Sequence, residues 1–125
     1  LGTVGIEGPD LINIAGDSAE GLVYTAPAFD PDSHDPTVKA YQQEYMKKFG
    51  KKSEIFAATT YDATKIMALM IGKTGYNPDA IKDGLYKLKD YPGVSGKTNF
   101  DRNGDVIKSV MFKTVKNKQF VPIKE

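Results

Sequence analysis

Between Asp35 and Leu88 the sequence sets three helical patterns end to end, with no strand pattern among them. In the first, Asp35 can cap the helix and Pro36 suits its opening position. Val38, Tyr41, Tyr45, Met46 and Phe49 then recur at helical spacing, and Gly50 ends the run. The second covers Phe56 to about Lys73, with Ala57, Ala58, Tyr61, Ile66, Met67, Leu69 and Met70 as its apolar set. It is the more thoroughly apolar of the two and is expected to be the better buried, with both methionines filling core. Asn77 caps the third, Pro78 starts it, and Ile81, Leu85 and Leu88 form its stripe; Gly84 weakens it. Strands are few by comparison. Gly21–Ala26 is a short apolar run, and Val106–Val115 turns at Lys116–Lys118 into Gln119–Ile123, where Pro122 points to an edge. Near the start, Pro9 opens a short helix with Leu11, Ile12 and Ile14 as apolar contacts and Gly16 as its stop. So few strands cannot cover three helices, so the elements form an incomplete set whose partners lie in residues not present. Left alone, such a fragment is expected to expose core or to self-associate. The start at Leu1, without Met, is expected to mark a processed or truncated piece of a longer chain.

Charge and composition exclude several functions. The 125 residues carry 17 Lys plus Arg against 16 Asp plus Glu, too even for a chain that binds phosphate backbones. Arg102 is the sole arginine, so no multi-guanidinium clamp can form. No uncharged stretch approaches the roughly 20 residues of a membrane-spanning helix. Cysteine is absent, which removes disulfides, thiolate zinc sites and cysteine nucleophiles, and fits an oxidising compartment. Lys47, Lys48, Lys51 and Lys52 read as a solvated helix end.

Candidate chemistry is sparse. His34 stands among Asp30, Asp32 and Asp35 in a Pro-rich linker, which reads as a polar turn before it reads as a metal site. Asp101, Asn103 and Asp105 begin like a calcium loop, but Val106 and Phe112 occupy the positions that need Gly and Glu. Asn103-Gly104 is better explained as a turn. No nucleophile elbow, phosphate loop or dinucleotide fingerprint is present, and with one histidine no serine–histidine pairing recurs. No enzyme and no cofactor is expected. Phe56, at the start of the second helix after a Lys-rich loop, reads either as a cap contact or as a wall of a ligand pocket.

Taken together, NIAGDSAEGLVYTAP, FDP, YQQEYMKKFGK, FAATTYDA and GVSGKTNFDRNGD with its Lys-rich hairpin resemble one known family. They are similar to the extracellular solute-binding proteins of branched-chain amino acid ABC transporters, the leucine/isoleucine/valine-binding type I periplasmic binding proteins. The resemblance covers nearly the whole chain and corresponds to the C-terminal third of such a protein. It implies an α/β fold of two lobes that exchange chain. Residues 1–29 would belong to the C-terminal lobe, residues 30–95 to the N-terminal lobe as its helical segment, and residues 96–125 to the hinge return and terminal hairpin of the C-terminal lobe. Phe29–Asp32 and Gly93–Thr98 would be hinge strands.

The implied function is capture of a small solute between the lobes, a branched-chain or related amino acid or a similar carboxylate. Delivery to an ABC transporter membrane permease, periplasmic or extracellular and possibly lipid-anchored, would follow. A sensor of the same fold coupled to a signalling partner is the alternative. Phe56 falls where the family packs an aromatic on the ligand. The family's acidic partner for the ligand ammonium sits in a glycine-rich loop, and the gapless match, Gly2-Thr3-Val4-Gly5, puts Val4 there. Glu7 replaces that acid if the loop is shifted. Otherwise the ligand is not an α-amino acid, because a buried ammonium without a counter-ion is costly.

Overall fold

The computed structural model describes residues 2–123. In chain order the elements are β1 (Gly2–Thr3), a 3-10 turn (Val4–Ile6), α1 (Pro9–Ala15), a second 3-10 turn (Gly16–Ala19), β2 (Val23–Pro27), α2 (Pro36–Phe49), α3 (Ile55–Thr74), α4 (Pro78–Tyr86), β3 (Tyr91–Gly93), β4 (Gly96–Phe100), β5 (Val106–Ile107), β6 (Val110–Lys116) and β7 (Gln119–Pro122). They fall into two compact units. The first joins the segment ending at Ala28 to the segment beginning at Val110, and the second is Phe29–Ser109.

The first unit is a mixed sheet in the order β1-β2-β6-β7, with β1 parallel to β2 and the other pairs antiparallel. Alternation along β2 buries Tyr24 and Ala26. Directly across on β6 lies Lys113, and Val115 follows on the same buried face. Phe120 of β7 meets the Tyr24 ring edge-on, with centroids 6.0 Å apart. The β6–β7 turn puts Asn117 and Lys118 at positive φ, 52° and 59°. Glu20 holds it there by accepting both backbone N–H groups, at 2.9 and 2.6 Å. Ile14 is not the core contact its spacing suggested. The residue is 87% exposed, on a short helix that buries none of its residues.

The second unit packs α3, α4 and the antiparallel β3-β4-β5 sheet around Ile66, Met70 and Leu88, with Ile81, Leu85, Tyr91 and Phe100 against them. Capping follows the sequence. The Asp35 carboxylate accepts from the Thr37 and Val38 N–H groups, and the Asn77 side chain accepts from Ala80 N–H. Gly84 has a packing reason: a Cβ there would lie 2.8 Å from Met70 Sδ. Met67, in contrast, is exposed and is not core filler. α3 buries a single stripe of Ile55, Ala58, Asp62, Ile66 and Met70, while Tyr61, Met67 and Leu69 face away from it.

The stretch read as one strand, Val106–Val115, is two. β5 pairs with β4 in the second unit, β6 pairs with β2 in the first, and Lys108–Ser109 separates them. Residues 96–109 pack in the second unit.

A buried carboxylate ties this unit together. Asp62, 2% exposed, accepts Val94 N–H on Oδ1 at 2.8 Å and Ser95 N–H on Oδ2 at 2.9 Å. It also takes the Ser95 hydroxyl and the Lys108 ammonium, the latter at 3.3 Å. Gly93 is required beside it, since a Cβ would stand 2.4 Å from Oδ2. Replacing Asp62 with Ala strands the Lys108 charge and two backbone donors, so Asp62→Ala is expected to cost about 3–5 kcal/mol. Urea unfolding followed by tyrosine fluorescence, in a chain without Trp, measures it.

Candidate functional site

The N-terminal loop is built on the first sheet. Val4 opens the 3-10 turn, and its carbonyl accepts the Glu7 N–H at 2.9 Å. That closure delivers the Glu7 side chain onto the buried face where Tyr24 and Lys113 stand opposite one another. Glu7 Oε1 meets Lys113 Nζ at 2.5 Å, and the Tyr24 hydroxyl donates to Oε2 at 2.8 Å. The pair is nearly dry, with the Lys113 side chain 8% and the Glu7 side chain 12% exposed. Val4 is half-buried and Gly5 exposed. The structure therefore brings Val4, Gly5 and Glu7 into one loop, and shows that the Glu7 charge is already matched. Lys113 was missed in the sequence reading, since 106 residues separate it from Glu7 and nothing in either segment signals the other.

Phe56 lies in the second unit, in the first turn of α3. Its carbonyl accepts the Thr60 hydroxyl at 2.8 Å, but its side chain is 48% exposed. An apolar groove of about 710 Å³ opens elsewhere on this unit, lined by Tyr41, Tyr45, Phe49, Tyr61 and Val94, and Phe56 is not part of it. The Tyr41 hydroxyl is buried without a hydrogen-bond partner among the described residues, and burial pushes its pKa up.

Ser95 and Lys108 lie within 2.5 Å of each other beside Asp62, a grouping with the outline of a nucleophile and its base. Ser95 is wholly buried, so no substrate reaches its hydroxyl; the cluster holds a turn. Asp101 spends a carboxylate oxygen on the Asn103 and Asp105 N–H groups, which makes DRNGD a side-chain-capped turn. Among the described residues no group of three or more His, Cys, Asp or Glu could hold a metal ion.

Tyr24 is the titratable group most displaced by these surroundings. Burial first, then its hydrogen bond to Glu7 and that residue's charge, push the phenol far above its usual value near 10. The unfolded chain ionises Tyr24 from about pH 10 upward while the folded one keeps its proton, so the unfolded state binds fewer protons. Tyr24's share of stability is complete below pH 10 and falls by about 1.4 kcal/mol per pH unit above it. Urea midpoints between pH 8 and 11 are expected to drop less steeply in Tyr24→Phe than in the parent.

Known proteins carry the same architecture. A sequence model of the periplasmic binding protein family matches residues 1–119. The leucine-, isoleucine-, valine-, threonine- and alanine-binding protein of Pseudomonas aeruginosa is 31% identical over 108 residues, covering 85% of this chain and 28% of that protein. The crystal structure of the leucine-binding protein LivK from Thermotoga maritima superimposes with a TM-score of 0.86 at 32% identity, over 98% of this chain and 35% of that one. LivJ from Streptococcus pneumoniae, solved with isoleucine, gives 0.81 at 25% identity over 98% and 36%. The chain thus spans about a third of the length of the relatives it matches. With a family model running over nearly its whole length and relatives above 30% identity, this chain belongs to the periplasmic binding protein family.

Proposed function

We propose that this chain supplies part of the solute pocket of a two-lobe binding protein that serves an ABC transporter. The solute is an amino acid, branched-chain or related, or a similar small carboxylate. The first unit would belong to the C-terminal lobe and the helical segment from residue 30 to about 95 to the N-terminal lobe. Closure of the lobes over the solute would be driven by its tighter binding to the closed form, with no bond made or broken. The closed form would then dock on a membrane permease, from the periplasm or the cell exterior.

The observation that carries this reading is the family match over residues 1–119, whose relatives are named as binding proteins for leucine, isoleucine and valine. Two features support it. The chain leaves its first unit after Ala28 and re-enters at Val110, the discontinuity that lobes exchanging chain require. Phe56 presents an exposed aromatic side chain at a helix start, available to pack on a solute. From the first unit, Val4, Gly5 and Glu7 would be the residues that contact the solute.

The test is ligand recovery. Mass spectrometry of the complete two-lobe protein after gentle purification is expected to find a bound small solute, unchanged by incubation. Removing a ring worth about 1.5–3 kcal/mol of apolar contact lowers affinity ten- to a hundred-fold, so Phe56→Ala is expected to lose most of that solute. Unchanged affinity in the variant removes Phe56 from the pocket.

A further inference from the structure

The turn between β4 and β5 carries an asparagine whose chemistry differs from that of the others. Five asparagines are present, and the residue after each decides what its carboxamide can undergo. The next backbone nitrogen can attack the side-chain carbon Cγ, provided that it can shed a proton and nothing crowds it. Asn77 precedes Pro78, which has no N–H to give up, and its side-chain oxygen is spent on Ala80 N–H. Asn13 precedes the β-branched Ile14 inside α1. Asn99 precedes Phe100, and its carboxamide is tied to Asp90 through both oxygen and nitrogen, at 2.8 and 3.3 Å. Asn117 precedes Lys118, whose N–H is held by Glu20 at 2.6 Å. Asn103 precedes Gly104, and both are exposed. Gly104 has no side chain to block the approach to its nitrogen.

We propose that Asn103 is the site of spontaneous deamidation in this chain, and that Asp101 slows the reaction. The Gly104 nitrogen gives its proton to a base in solution and attacks Asn103 Cγ. The N–Cγ bond forms, the Cγ–Nδ2 bond breaks, and the amide nitrogen takes up a proton and leaves as ammonia. Water then opens the five-membered imide at either carbonyl, giving aspartate or an isoaspartyl link. One water enters and one ammonia departs, with nothing oxidised or reduced.

Asp101 opposes ring closure at two points. Its carbonyl accepts the Gly104 N–H at 3.1 Å, a bond that is lost when this nitrogen gives up its proton. Its Oδ1 accepts Asn103 N–H at 2.8 Å and Asp105 N–H at 2.9 Å. Those two bonds pin the backbone on both sides of the rotation that would carry Cγ onto the nitrogen. The same turn closes β4 onto β5, with Phe100 opposite Val106 and Asn99 opposite Ile107. An isoaspartyl link puts an extra methylene into the main chain there, and so works against that pairing.

Peptide mapping of the complete protein, held in warm, mildly alkaline buffer, measures aspartate and isoaspartate at each of the five positions. Asn103 is expected to convert at least tenfold faster than any of the other four. Asp101→Ala is expected to raise its rate at least threefold in the folded protein, and to react like the parent in urea, where the turn is gone. Asp101→Asn, which keeps an acceptor oxygen, is expected to react more slowly than Asp101→Ala. Conversion at another of the five as fast as at Asn103 overturns the assignment of the site. So does an intact Asn103 in the folded protein once the urea-unfolded protein has converted. A folded Asp101→Ala no faster than the parent, or one equally faster in urea, overturns the part given to Asp101.

Discussion

The second unit depends on one carboxylate in a place where apolar side chains are the rule. Asp62 sits on the stripe of α3 that otherwise buries Ile55, Ala58, Ile66 and Met70. Two consecutive backbone N–H groups, those of Val94 and Ser95, turn inward between β3 and β4 and have no strand partner there. A carboxylate is the side chain that can accept both at once, one on each oxygen. Leaving the two donors unmet would cost more than the apolar contact forgone by using Asp, provided the negative charge is itself matched. Lys108 supplies that match from the end of the small sheet, so helix, turn and strand end are held through one group. Gly93 follows from the same geometry, since any Cβ there would collide with the carboxylate.

The first unit meets a parallel requirement with the parts exchanged. There the sheet contributes the cation, Lys113, and the loop contributes the anion, Glu7. The pair is drier than the Asp62–Lys108 pair on the lysine side, 8% against 13% exposed. Each unit thereby keeps its buried charge balanced by its own residues.

Much of the architecture was legible because it rests on local signals. The caps at Asp35 and Asn77, the prolines that follow them and the stop at Gly50 act over three or four residues, and those helices fall where these residues put them. Non-local effects were the ones that escaped. Val106–Val115 has β-branched and aromatic residues throughout, so propensity reads it as continuous, but the Lys108 ammonium is held by Asp62, 46 residues earlier. Ile14 and Met67 show the limit of spacing: it locates a helix, and cannot say which of two apolar flanks meets a neighbour. One local signal went unused, a lone acid four residues from an alanine and from an isoleucine on an otherwise apolar stripe, which marks Asp62 as a buried acceptor. The pairing of Glu7 with Lys113 could not be read locally either, because 106 residues lie between them.

The separation of those partners also orders events in folding. Glu7 and Lys113 are 106 residues apart, and Glu20 meets the β6–β7 turn across 97 and 98 residues. Closing so long a loop costs entropy that only the completed sheet returns, whereas Asp62 reaches its partners across 32 to 46 residues. The second unit can therefore settle first, and the first sheet follows once β6 and β7 are in place. Until Lys113 arrives, Glu7 stands with its charge unmatched, and β2 lacks its antiparallel partner β6. The electrostatic character of the loop is thus set by the last strands of the chain. Substitutions on β6 can change the charge balance of the loop without touching the loop itself.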